Sequence, residues 1–347
     1  MNKKIPETLY WENGTLFLLN QNELPNKIVY KKCKVYTDVI DAVKNKVIAG
    51  ASAVAVAVAY GVVLAGIKCA KFPPITKTNF IKKACDDLSK VWNISIYPKK
   101  AIEKMMVIVD MAVKLNPENF IKKLEETAKE IYDQDIEANV AMAEFATRLL
   151  KKESTIITHA NSGSFSSAGV GTAIGTIKTA FKNGKVKKVL VDETRPYFQG
   201  SKLTAYELQQ EKIPYMIMAD SMAAFIMKTE KIDAIIVGAE KIALNGDVAN
   251  NIGTYALSIF AKYHKVPFYV IANTSVIDFA TTYGVKIKVV DLASEDVLKV
   301  GGKNISVKEA VSRNPELDVT PASNITMIIT EKGVFKPNKI STLKKKK

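Results

Sequence analysis

The chain has 347 residues, 48% of them hydrophobic, and a mean hydropathy of +0.03, which excludes a disordered chain and predicts enough apolar surface for two domains. Lysine and arginine number 50 against 35 acidic residues, a formal net charge of +15. That excess raises nucleic acid or an anionic surface as a partner, but it is Lys-rich, ends in the run Lys344 to Lys347, and comes with no RNP, KH or zinc-finger motif.

Cys33, Cys69 and Cys85 have the spacing of neither a disulfide framework nor a zinc site, and MNKKIPETLYWENG has no apolar run after its basic residues. The expectation is a reducing, cytoplasmic location with no metal. In chain order, GTLFLLN predicts a short strand. Between Lys46 and Lys68, VIAGASAVAVAVAYGVVLAGI is uncharged and long enough to span a bilayer. Its many small residues suit close packing, so a buried helix is expected there and no membrane partner. AIEKMMVIVDMAVKL and NFIKKLEETAKEIYDQDIEANVAMAEFATRLL carry the 3.6-residue periodicity of amphipathic helices. Residues 1–150 therefore read as a mainly helical domain with a short β segment near its start. After Glu153, the apolar runs STIITH, KVKKVLVDE, PYMIMAD, DAIIVGA, VPFYVIAN and ITMIIT alternate with helical patterns. This predicts βαβ units and a largely parallel sheet, an α/β domain over 151–340, followed by a Lys-rich tail at 341–347.

The most informative stretch is VGAEKIALNGDVANNIGTY, Val237 to Tyr255. It places Glu240 where a buried strand ends, and ligands of open α/β sheets bind beyond the carboxyl ends of strands. A Gly/Ser-rich turn follows STIITH, with Gly163, Ser164, Gly169 and Gly171. It reads either as an anion cradle of free amides at a helix start or as a tight strand-to-helix connection. Of the two histidines, His159 reads as a buried, hydrogen-bonded ring and His264 as a helix C-terminal residue.

These motifs, with THANSGSFSSAGVGTA, DETRPYFQGSKLTAYEL and LDVTPASNITMIITEKG, resemble methylthioribose-1-phosphate isomerase. That family is similar in turn to ribose-1,5-bisphosphate isomerase and to the regulatory α, β and δ subunits of translation initiation factor 2B. The resemblance runs from Leu9 to Pro337 and implies a helical domain followed by a Rossmann-like domain, a homodimer, and isomerisation of an aldose 1-phosphate to a ketose 1-phosphate without a cofactor. It implies substrate contacts from Arg195, Gln199, Gly200, Asp220 and Asn250.

The departures from the family pattern are as informative. The catalytic Cys position is Ala160, and the catalytic Asp position is Glu240, whose carboxylate is one methylene farther from the backbone. The phosphate-binding Arg of Arg-Gly-Ala-Pro is Ala49, and that of Arg-Pro-Thr is Tyr97, with Lys99 and Lys100 close by. The Asn-Lys pair is Asn250-Asn251. Loss of a positioned acid or base costs about 10²- to 10⁴-fold, and missing Arg forks weaken phosphate binding. On sequence alone the preferred reading is a non-catalytic relative acting as a scaffold, assembly or regulatory subunit. The alternative is a sugar-phosphate isomerase using Glu240 as base, with Lys99 assisting the phosphate. A basic nucleic-acid binder comes third.

Overall fold

The computed structural model describes residues 5–344, so the last part of the Lys-rich tail, 345–347, lies outside the described residues. The chain divides into two compact units, Met1–Ala141 with Ser162–Gly175, and Met142–Asn161 with Thr176–Lys347. This division departs from a single cut near residue 150. The long fifth helix runs on past Ala141, and the Gly/Ser turn leaves the sheet strand that precedes it to join the helical unit.

The first unit carries strands β1 (Leu9–Glu12), β2 (Thr15–Leu19) and β3 (Tyr30–Cys33), an antiparallel sheet in that order. Helices α1 (Tyr36–Lys44), α2 (Ala51–Cys69), α3 (Pro74–Ser89), α4 (Tyr97–Ala112) and α5 (Pro117–Leu149) follow. The apolar segment at α2 is a core helix, apolar on every side and buried from Ala51 to Gly66 among its neighbours α1, α3 and α4. Small side chains allow that approach.

A buried carboxylate ties this unit together. Asp135 of α5 accepts from the Ala168 backbone N–H at 2.9 Å, from Asn139 at 3.1 Å and from the Ser52 hydroxyl. Burial pushes its carboxyl above the usual range, against the pull of those three donors. Asp135 thus joins the start of α2, the middle of α5 and the Gly/Ser turn. Asp135→Ala leaves all three donors buried without this acceptor, and should lower stability to urea by about 3 kcal/mol.

The second unit contains β4 (Ser154–His159), α6 (Ala173–Lys182, begun in the first unit), β5 (Val186–Glu193), α7 (Ala205–Gln210), β6 (Tyr215–Ala219), α8 (Ala223–Thr229), β7 (Ala234–Val237), β8 (Lys241–Ala243) and β9 (Val248–Asn251). Next come α9 (Thr254–His264), β10 (Phe268–Ile271), β11 (Ile277–Asp278), α10 (Ser294–Leu298), β12 (Lys299–Val300), β13 (Lys303–Asn304), β14 (Leu317–Thr320), β15 (Met327–Thr330) and β16 (Gly333–Phe335).

All six strands expected from the apolar runs are present. With β16 they form one seven-stranded sheet in the order β16-β15-β10-β7-β4-β5-β6, parallel except for β16. From β4 the chain builds outward through β5 and β6, then returns to the other side of β4 with β7 and continues through β10 and β15. The strand order reverses between β4 and β7, and both strands are fully buried. A second sheet, β11-β8-β9-β14, stands beyond the carboxyl end of β7. Its strands of two to four residues are too short to show periodicity in sequence.

Candidate functional site

Parallel pairing of β4 with β7, through Ile156–Ala234 and Ile157–Ile235, brings Ala160 and Glu240 to the carboxyl ends of the two strands that flank the reversal. That is the topological switch point, where open α/β sheets leave a crevice. Ala160 is buried and has φ +58°, a left-handed conformation that costs a residue with a Cβ about 1 kcal/mol or more. Its carbonyl accepts from the Thr204 hydroxyl at 2.6 Å. Thr204 closes a π-helical turn, Gly200–Thr204, a local form that recurs at functional sites.

The second sheet gathers the next residues. The Glu240 N–H donates to the Ala249 carbonyl at 3.0 Å, which sets Glu240 at the start of the β8–β9 hairpin beside Asn250. Across the sheet Asn250 is paired with Asp318 of β14, and Asn251 with Leu317. Asn251 donates to the Gln199 side chain at 3.4 Å. Asp220, exposed just after β6, lies toward the same turn, its carboxylate 3.6 Å from where a Cβ on Gly253 would stand. Gln199, Asp220, Glu240, Asn250 and Asn251 therefore converge on the segment 249–253.

Arg195 takes a different course. Its guanidinium donates to the Val297 carbonyl at 2.8 Å and lies 4.8 Å from the centre of the Phe198 ring, so it braces α10. Gly200 follows Gln199 at the end of β5, where Glu193 accepts from the Ser201 N–H at 2.8 Å and from the Thr194 N–H at 2.7 Å. Burial raises the Glu193 carboxyl despite these amides. Lys99 is exposed in the first turn of α4 in the helical unit, while Tyr97, in the family's Arg position, is buried. The Gly/Ser turn is a structural connection: the Thr172 and Ile174 amides both donate to the Ser162 carbonyl at 3.1 Å, and those of Gly169 and Gly171 donate to the Ser167 hydroxyl. Those amides are spent on the loop's own shape.

No cysteine of the chain substitutes for the family thiol. Cys33, Cys69 and Cys85 are buried in the helical unit, and burial pushes their thiols up to about 12, 11 and 12. Among the described residues no three His, Cys, Asp or Glu side chains are grouped to hold a metal.

His159 ends β4 and is fully buried. Its Nδ1 is 3.1 Å from Asp192 Oδ2 at the end of β5, and its Nε2 is 2.9 Å from the Ile252 carbonyl oxygen. Asp318 accepts from the Gly253 N–H at 2.7 Å and the Tyr255 N–H at 3.0 Å, closing the start of α9. Sequence reasoning missed Asp192, Gly253 and Asp318. The only signal was their place within or beside the quoted motifs. His264, in the last turn of α9, stands where a cation suits the helix dipole.

Fold and site together define a class: a helical unit followed by a parallel α/β unit, with a carboxylate at the switch point and an Asn-rich hairpin beside it. The chain belongs to the Initiation factor 2 subunit family, whose model matches residues 47–337. It is 42% identical over 334 residues to a methylthioribose-1-phosphate isomerase of Caldanaerobacter subterraneus, covering 95% of this chain and 96% of the relative. It is 41% identical over 349 residues to the enzyme of the same name from Caldicellulosiruptor saccharolyticus, covering 97% and 98%. Among solved structures it is similar to 5-methylthioribose 1-phosphate isomerase from Pyrococcus horikoshii (TM-score 0.88, 32% identity, 98% and 95% covered). It is similar also to the delta subunit of translation initiation factor eIF-2B from A. fulgidus (TM-score 0.83, 31% identity, 96% and 97% covered).

Two tests follow from this geometry. Gly253 has φ +102°, and a Cβ there would stand 2.6 Å from His159 Cε1. Gly253→Ala should therefore cost about 2 kcal/mol in urea unfolding and disturb the His159 ring signals. Burial raises the Asp318 carboxyl to about 6 from 3.8, against the two backbone N–H donors and the His159 charge. The folded state thus binds the proton more tightly than the unfolded chain. The associated stability is present in full below pH of about 4 and is lost as the pH rises through about 6. Asp318→Asn should remove that slope from a stability–pH series, and a ¹³C titration of the carboxyl should show the midpoint directly.

Proposed function

We propose that this chain is an aldose–ketose isomerase of a sugar phosphate of the methylthioribose 1-phosphate kind, working slowly because Ala160 stands where the family has a thiol. One observation carries the reading: the fold holds a carboxylate, Glu240, at the end of β7 on the switch point, beside Asn250 and opposite the end of β4. Identity of 42% over almost the full length of relatives named as isomerases supports it and moves the balance away from the scaffold reading preferred on sequence alone. As the C1–ring-oxygen bond breaks and the ring oxygen takes up a proton, Glu240 takes the proton from C2 to leave a C1–C2 enol phosphate; the proton returns at C1 while the 2-hydroxyl gives up its own proton and becomes the ketone. Asn250, Asn251, Gln199 and Asp220 hold the hydroxyls. We place the chain in the cytoplasm and as a homodimer. Met216 and Ile217 on β6, Phe225 on α8 and Tyr263 on α9 are exposed apolar side chains suited to a second copy.

Ala160 itself favours a second reading, a subunit that keeps the fold and acts by assembly or regulation. The two readings differ in turnover. Purified protein should convert methylthioribose 1-phosphate measurably, Glu240→Gln should lower the rate at least about 100-fold, and Ala160→Cys should raise it about 10²- to 10⁴-fold. Absence of turnover from both the unmodified chain and an Ala160→Cys, Glu240→Asp double variant that remains folded would overturn the isomerase reading and leave the scaffold.

A further inference from the structure

The ring of His159 is closed in on every side. Asp192 from β5 meets Nδ1, the Ile252 carbonyl from the turn after β9 meets Nε2, and the Gly253 backbone lies against Cε1. Asp318 from β14 faces the ring electrostatically, and Asp220, beyond β6, faces Asp192. A carbonyl oxygen has no proton to donate, so Nε2 must carry one to make the 2.9 Å bond to Ile252. With Nε2 protonated, Nδ1 either carries a second proton and donates to an ionised Asp192, or accepts one from a neutral Asp192. Burial favours the neutral pair, while Asp192 and Asp318 favour a positive ring.

We propose that His159 is a positioning residue held as an imidazolium, which ties the end of β4 to the Ile252–Gly253 turn and so fixes Asn250 and Asn251 beside Glu240. The proposal deepens the isomerase reading and, as a role in that reaction, rests on it. Burial works to lower the ring's affinity for its proton, but the hydrogen bond and charge of Asp192, the Ile252 carbonyl and Asp318 together raise it. Burial raises the Asp192 and Asp318 carboxyls, and the ring's charge pulls both back toward the ionised form; Asp318 holds the Gly253 and Tyr255 amides. The ring therefore acts on the turn twice, once through Ile252 and once through Asp318. With both bonds in place the 250–255 segment has no freedom to shift away from the end of β7.

The chain has only two histidines, so ring nitrogens labelled with ¹⁵N give a spectrum of two residues, assigned by His264→Gln. In the unmodified protein both His159 nitrogens should resonate in the protonated range at every pH from 6 to 8. Asp192→Asn should bring the ring's titration down into that window. His159→Gln should speed hydrogen exchange of the Gly253 and Tyr255 amides at least tenfold while those of β5 keep their rates. A Nδ1 signal in the unprotonated range at pH 7.5 in the unmodified protein would overturn the charged state, and unchanged exchange at Gly253 in a folded His159→Gln would overturn the positioning role. Neither readout needs turnover, so the proposal and the isomerase reading can fail separately.

Discussion

The pairing of β4 with β7 is the constraint on which the rest of this structure depends. Both strands lie at the centre of the sheet and are buried throughout, so their interior positions are closed to polar chemistry. The residues after their carboxyl ends are where the chain can place polar groups together, because one strand's successors leave to one side and the other's leave to the opposite side. Ala160 and Glu240 fall in that gap, 80 positions apart in sequence, through a register set by Ile156 on Ala234 and Ile157 on Ile235. The β8–β9 hairpin and its pairing with β14 then fold over the end of β7 and deliver Asn250, Asn251 and Asp318 to the same place.

What stands in that gap is charged and only partly open to water, which explains much of the local backbone. A buried imidazole beside two carboxylates is stable only if its ring nitrogens are satisfied, and the neighbouring turn is bent to do so. Gly253 is the residue that permits the bend. Ala160 accepts a left-handed conformation without being Gly, and the Thr204 hydroxyl holds its carbonyl there. Strain of this kind persists where surrounding bonds over-determine the backbone. Here the bond that does so is the one from the Thr204 hydroxyl to the Ala160 carbonyl.

The Ala160 side chain carries no ionisable proton, and Glu240 sets its carboxylate one methylene farther from the backbone than an Asp would. The fold is similar to that of solved isomerase and initiation-factor structures. The buried cysteines of the helical unit, with thiols raised by burial, offer no replacement.

Local pattern was sufficient for the elements. Six apolar runs became the six parallel strands, and the long amphipathic stretches became α4 and α5, because strand and helix periodicities are written residue by residue. The apolar segment at Ala51–Cys69 matched a membrane span by length, and its burial inside the helical unit came from the neighbours that surround it. Glu240 was legible as a strand-end carboxylate, since that inference needs only the strand before it. The hydrogen bonds of Arg195 and the Gly/Ser turn were not, because residue type says nothing of what a guanidinium or an amide bonds within the fold: Val297 for one, Ser162 and Ser167 for the other. Likewise Asp192, Gly253 and Asp318 lie at three distant points of the chain, and only the strand order brings them around His159. The sequence by itself determined which segments are strands and helices and which residue types were available for chemistry, since both are local properties. The tertiary structure alone decided which of those residues meet, because long-range strand pairing carries no local signature.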